Sequence, residues 1–293
     1  MKKLLALAII ASCLGALAQD KSPDEIRAKL KQLESKLHYQ KGEITLRGDL
    51  ARLTMPENFR YLDPGDAEVV LTKMWGNPAG ERTLGLILPA DISPLDRNCW
   101  AVVITYTEDG FVKDADADKI DYTDLMKKMQ QGSADANAER KKQGYPEIQL
   151  VGWATPPRYD KATHKMYWAK EIKFADAPEN TLNYNIRVLG RRGVLVLNAV
   201  ASMSDLKMIE EHSPQIVGMV DFKEGNRYAD FNGKTDKVAA YGLAALVAGG
   251  IAAKAGLFKV LWIGILAAKK FVIIGVIALV AFAKKLFGKK ESA

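Results

Sequence analysis

Histidine and cysteine are scarce in this chain: three His (His38, His164, His212) and two Cys (Cys13, Cys99) among 293 residues. That leaves little material for a zinc site or a His-dependent triad. Cys99 stands beside Trp100 in an apolar run and, once the N-terminal leader is removed, is the single thiol, so no internal disulfide forms. A buried, inert thiol is the simplest expectation for it. The chain also lacks G-x-S-x-G, a phosphate-binding P-loop, H-E-x-x-H and any paired C-x-x-C. A basic body is missing too. The net charge is +7, but eight lysines with one acid (Glu291) lie at 238–293 and two more are Lys2 and Lys3. The residues between are slightly acidic, which argues against nucleic acid as a partner.

Two apolar features are present instead. The first is "MKKLLALAIIASCLGALAQD", a lysine pair, an apolar run and Ala16-Leu17-Ala18 before Gln19. This is the layout of a secretory signal peptide over 1–18. A second cut, at the lipoprotein-like Ile10-Ala11-Ser12-Cys13, would leave Cys13 as a lipidated first residue, and both readings stay open.

The second feature is the C-terminal stretch. "VAAYGLAALVAGGIAA" and "FVIIGVIALVAFA" carry no charge. Each falls short of the roughly 20 residues that cross a bilayer unaided, but flanking lysines can snorkel to the interface. The reading is a membrane-embedded segment over 238–287 and a basic tail over 288–293, with the lipid bilayer as partner. Gly242, Ala245, Gly249 and Ala252 fall at helical spacing and predict a small-residue ridge for close helix packing and homo-oligomer assembly. Lysines divide evenly between the two ends of the second run, so charge does not decide between a hairpin and a re-entrant tail.

Between these ends, residues 19–237 read as one extracytoplasmic α+β domain, a mostly antiparallel sheet covered by helices. Ser22–Gln40 has apolar residues at spacings of three and four and predicts an amphipathic helix. Gly48-Asp49 marks a hairpin. Asp66–Trp75, Ile120–Gln143 and Ser204–Val217 predict helices, and Leu84–Leu88 and Trp100–Thr107 predict strands. Ile148–Arg158, His164–Phe174, Thr181–Leu189 and Val194–Ala201 follow on short turns, so they pair antiparallel.

Candidate chemistry is sparse. In "HKMYWAKEIKF", Met166, Trp168, Ile172 and Phe174 share one face by the period-two rule, with Lys170 among them. An ammonium there is paired, snorkels from a bulge or edge, or loses its proton and becomes a candidate base. Asn183, Asn185 and Arg187 form a polar stripe opposite Leu182, Tyr184, Ile186 and Val188. A solvated face is one reading and the lining of an anion or peptide pocket the other. Asp114, Asp116 and Asp118 open like a calcium loop, but Lys119 and Leu125 occupy the positions of its glycine and glutamate. His164 reads as a solvated turn residue. No cofactor, metal site or catalytic residue is expected.

The blocks "GDAEVVLTKMWGNP", "GWATPPRYDKATHKMYWAKE", "LNYNIRVLGRRGVLVLNAVA" and "YADFNGKTDKVAAYGLAALVAGGIAAKAG" resemble a bacterial family of predicted membrane-anchored proteins of unknown function, over roughly 40–285. The resemblance implies a signal peptide, an exported domain and C-terminal membrane helices, and carries over no catalytic or ligand residues. More loosely, the order of elements is similar to the sandwich of photosystem-II extrinsic proteins and Ran-binding Mog-type proteins. The expected role is a binding or scaffold module facing the periplasm from the inner membrane of a bacterium, with an envelope protein as a further possible partner. The alternatives are a membrane-anchored hydrolase or a helical tail that perturbs the bilayer.

Overall fold

The computed structural model describes residues 23–249, apart from 78–81, 97–98, 143–145 and 176. The expected signal peptide, Cys13, Ala252 and the tail from 250 onward lie outside the described residues.

After helix α1 (Pro23–Glu34), strands β1 (Gly42–Leu46) and β2 (Ala51–Met55) form a hairpin, with Arg47, Gly48 and Asp49 all at positive φ. Strand β3 (Phe59–Leu62) leads into helix α2 (Pro64–Glu68). The Asp63 side chain caps its N-terminus, accepting from the Gly65 and Asp66 amides. The helix continues as a π-helical stretch over Val69–Met74. Then come β4 (Gly85–Pro89), β5 (Ala101–Thr107), β6 (Phe111–Lys113) and the long helix α3 (Tyr122–Lys142). Strands β7 (Ile148–Asp160), β8 (Lys165–Phe174), β9 (Thr181–Leu189) and β10 (Val194–Ser202) follow in a meander. Helix α4 (Leu206–Met219), β11 (Val220–Phe222), β12 (Val238–Gly242) and helix α5 (Leu243–Ala248) complete the described chain.

The centre is a seven-stranded antiparallel sheet in the order β3-β4-β5-β10-β9-β8-β7. Alternation along its strands sends side chains to two covered faces, which is why β9 and β10 are almost wholly buried. On the first face, Ile87, Val102, Ile104, Leu182, Ile186, Leu195 and Leu197 pack with α4 and the three-stranded sheet β1-β2-β11. The second face is covered in three parts. The α2 helix and its π turn cover Leu86, Leu88 and Ala101; α3 covers Ile148, Leu150, Ile172 and Phe174; β12 and α5 cover Met166, Trp168, Val194 and Val196.

The expected α+β class with a mostly antiparallel sheet is what folds, and the four meander strands lie where alternation puts them. Three features differ from expectation. Helix α1 stops at Glu34 rather than Gln40, because Gln40 already exchanges backbone hydrogen bonds with Tyr61. Strands β3, β6, β11 and β12, three to five residues each, carry too short a pattern to register. Most telling, residues 238–248, expected inside the membrane segment, are folded onto the sheet. β12 runs parallel to β6, and Leu243, Leu246 and Val247 are buried in the core. Gly242 is extended and precedes α5, whereas Gly249 ends it at φ 115°, so Gly242, Ala245 and Gly249 do not line one helical ridge. Among the described residues no helix is long and apolar enough to cross a membrane.

Candidate functional site

The register of β8, β9 and β10 brings the expected polar residues onto one patch of the second face. Lys170 pairs with Asn183, Trp168 with Asn185, and Asn185 in turn with Asn198 of β10. Lys170 is not at a sheet edge, since β7 pairs beyond it. Register shifts on β7 bracket Trp153, the residue opposite Lys170, so the bulges sit on the neighbouring strand.

The stripe is not a solvated face. Asn183 is 1% exposed, Asn185 3%, Asn198 5% and Arg187 9%. Such groups need internal partners, and an amide ladder supplies most of them. Arg187 donates from Nη1 to the Ile186 carbonyl (2.9 Å) and to Asn198 Oδ1 (3.0 Å), and from Nη2 to Asn185 Oδ1 (3.1 Å). Asn185 donates from Nδ2 to Asn183 Oδ1 (2.8 Å) and to the Asn183 carbonyl (2.9 Å). The guanidinium carbon lies 4.9 Å from the centroid of the Trp168 ring, a cation–π geometry. None of these partners is a carboxylate. Burial pulls the guanidinium down to about 9, at which it stays protonated at neutral pH.

Donors outnumber acceptors in this patch. Lys170 is half-buried, and among the described residues its Nζ has neither a hydrogen bond nor an ion pair. Burial first, and then the like charge of Arg187, bring its ammonium down to about 8. Asn183 Nδ2 and Trp168 Nε1 are buried and have no acceptor. Two buried donors on adjacent strands of one face therefore lack acceptors among the described residues, and among these residues Lys170 and Arg187 have no carboxylate partner. Such a site favours a ligand that is all acceptor, a carboxylate or a phosphate.

The other sequence candidates disperse. Asp114 accepts from the Tyr159 hydroxyl (2.7 Å), Asp116 accepts from the Leu243 and Ala244 amides, and Asp118 pairs with Lys161. Each acid has its own structural partner, and among the described residues no group of three or more metal-ligating side chains forms. His164 is not a free turn residue. Its backbone is at φ 53°, its ring stacks on Tyr228 at 4.0 Å, and Nδ1 lies 3.1 Å from the Tyr159 oxygen. Tyr159 gives its own proton to Asp114, so its oxygen can accept from Nδ1. His164 borders a cavity of about 680 Å³ together with Arg52, Asp221 and Arg227. Its lining mixes the acids Glu43, Asp49, Asp221 and Glu224 with the bases Arg52, Lys223 and Arg227, so it lacks the one-sign surplus of the sheet patch.

Asn198 escaped sequence reading although it left a signal, a lone amide inside the apolar run "VLVLNAVA". Lys165 escaped as well. It is 6% exposed, and its Nζ donates to the Val217 and Val220 carbonyls and to Asp221 Oδ1.

Residues 38–280 match the model of a family described as protein of unknown function, DUF2167, and the chain belongs to that family. No curated protein matches the sequence. Among solved structures, it is similar to the cyanobacterial PsbP (CyanoP) of Synechocystis sp. PCC 6803 at 9% identity and TM-score 0.35, covering 63% of this chain and 92% of that one. It is similar to LpqN of Mycobacterium tuberculosis, described as involved in cell envelope biogenesis, at 14% identity and TM-score 0.31, covering 65% and 94%. The Ran-binding protein Mog1p of Saccharomyces cerevisiae matches at 9% identity and TM-score 0.34, covering 67% and 100%. At these values the likenesses say nothing of ligand or activity.

Proposed function

We propose that this DUF2167 protein is a binding module for a small anion, received on the sheet face at Lys170 and Asn183 beside the field of Arg187, and that its C-terminal apolar residues hold it to the inner membrane of a bacterium with the folded body in the periplasm. The observation that carries the ligand reading is the donor surplus: Asn183 Nδ2 and Trp168 Nε1, buried without an acceptor among the described residues, beside the half-buried Lys170, which has no ion pair among them. An anion would complete these hydrogen bonds and offset the Lys170–Arg187 repulsion, both in a low-dielectric setting where each counts for more than in water. The address is supported by sequence alone, by the leader-like N-terminus and the charge-free run "FVIIGVIALVAFA" near the C-terminus.

Calorimetric titration of full-length protein in detergent with acetate, phosphate and a dipeptide tests the ligand reading. Saturable binding of at least one anion is expected, weakened about tenfold or more by Lys170→Met, since a hydrogen bond to a charged group contributes about 1.5–3 kcal/mol. Wild-type protein that binds none of them overturns it. The address has its own test. Protease added to spheroplasts should digest the body, and carbonate washing should leave full-length chain in the membrane pellet.

A further inference from the structure

We infer that Val238–Ala248 is a releasable strap: it exchanges between the second face of the sheet and the lipid bilayer, and its departure opens the buried amide ladder to an anion. The inference rests on the anion and membrane readings above and supplies the step that joins them.

The strap is apolar, and part of what it covers is polar. Its buried side chains, Ala239, Leu243, Leu246 and Val247, pack with Met166, Trp168, Val194 and Val196. In the same stretch of sheet, Asn185 stands opposite Trp168 and Arg187 opposite Met166. Tyr241 of the strap lies close enough to Arg187 for the two groups to interact. An apolar cover offers no acceptor, so Trp168 Nε1 stays unpaired beneath it. Asn183 Nδ2 is sealed as well, two residues along β9 from Asn185. With both donors shut away, an anion reaches them only after the cover moves.

Its attachment is narrow. The hydrogen bonds that tie it to the rest of the described chain all come from one stretch, Asp109–Asp116. There β6 pairs with β12, Asp109 Oδ2 accepts from the Tyr241 hydroxyl (2.9 Å), and Asp116 accepts from the Leu243 and Ala244 amides. The segment also has a second home. Val238–Ala253 is free of charge, whereas with 238–248 held on the sheet only residues 249–253 remain before Lys254. Five residues are too few to enter the hydrocarbon layer to any depth. A protein core and a bilayer both keep Leu243, Leu246 and Val247 from water, so the strap itself loses little by changing sides. Its departure exposes Val194 and Val196, which holds it in place where no membrane is present. A bilayer shifts the balance because it takes up the released form alone.

The test is maleimide labelling of full-length chain carrying Val196→Cys in phosphatidylcholine liposomes, read by peptide mass spectrometry. Val196 is 8% exposed under the strap, and Cys99, 2% exposed beneath α2, reports global unfolding. Labelling at position 196 is expected to be about tenfold or more faster than at Cys99, the mark of local rather than global opening. Asp116→Ala should speed it about fivefold further by removing the cap of α5. A Cβ at 242 would lie 3.0 Å from Asp116 Cγ, so Asp116→Cys with Gly242→Cys puts a disulfide across the strap. Once oxidised, that pair should slow labelling at 196 to the Cys99 rate and abolish acetate and phosphate binding, and reduction should restore both. Chain that stays with the liposomes but labels at 196 no faster than at Cys99 overturns the strap and leaves the membrane address standing. Equal anion binding by the oxidised and reduced forms overturns the gate and leaves the anion site standing. Fast labelling without anion binding in either form removes the anion reading and leaves the exchange with lipid. Chain that does not stay with the liposomes removes the address and the inference together.

Discussion

Lys170 and Asn183 face each other across β8 and β9, and among the described residues neither side-chain nitrogen has a protein acceptor. A half-buried ammonium held without a partner raises the free energy of the folded state. Its pKa is about 8 when folded, against 10.5 for the ordinary group. The folded protein therefore binds fewer protons than the unfolded chain between those values, and stability rises with pH across that window. Below pH 8 the full cost is present, at most about 3 kcal/mol, since each unit is about 1.4 kcal/mol and partial exposure reduces it. Lys170→Met should raise the melting temperature at pH 7 and flatten the climb from pH 8 to 10.5. Thermal melts of wild type and variant across that range check this. An unchanged slope in the variant would show that another group titrates there.

Lys165 shows the opposite case, a buried ammonium whose three donors are all used. It reaches the end of α4, where the Val217 and Val220 carbonyls would otherwise be unpaired, and adds the Asp221 carboxylate at 2.8 Å. A cation at a helix C-terminus also meets the negative end of the helix dipole. Lys165→Met leaves these acceptors buried without a donor and should destabilise the fold by about 3 kcal/mol, in the range for breaking a buried, hydrogen-bonded charge. Asp221→Asn, which keeps an acceptor oxygen at a largely exposed position, should cost about 1 kcal/mol or less. Urea denaturation of the two variants separates these effects. Equal losses would mean that the ion pair, not the helix end, matters.

What was legible in the sequence divides along physical lines. Alternation over nine or ten residues located β8, β9 and β10, because a period-two pattern of that length cannot also be a helix. The same alternation put Lys170 on the face of Met166, Trp168 and Ile172, and Asn183, Asn185 and Arg187 in one stripe. It could not say that the stripe is buried, for that depends on α2, α3 and α5 arriving from distant parts of the chain to cover the face. Residues 238–248 failed for a related reason. A stretch buried by a protein core has the same uniform apolarity as one buried by lipid, so composition alone does not distinguish Leu243 and Val247 under a sheet from the same residues in a bilayer. The Asp114–Asp118 run looked like one acidic site because its members are close in sequence, yet the acids diverge to Tyr159, α5 and Lys161.

Asp116 is the member of that run with the most to do. Its two carboxylate oxygens accept from the Leu243 amide (3.2 Å) and the Ala244 amide (3.3 Å), so it caps α5 from 127 residues away. Gly242, which immediately precedes the helix, is there to admit it: a Cβ at 242 would lie 2.6 Å from Asp116 Oδ2. Asp116→Ala should cost about 1 kcal/mol, the usual loss for an N-terminal cap, and Asp116→Asn only a few tenths because an acceptor remains. Gly242→Ala should cost about as much as Asp116→Ala, since the methyl must push the carboxylate off the same two amides. The double variant decides whether the two residues form one device. With the carboxylate already gone the methyl meets no obstacle, so the double loss should match that of Asp116→Ala alone within about 0.5 kcal/mol, a non-additivity expected only of residues in contact. Additive losses in denaturation would separate Gly242 from the cap and assign its smallness to some other neighbour.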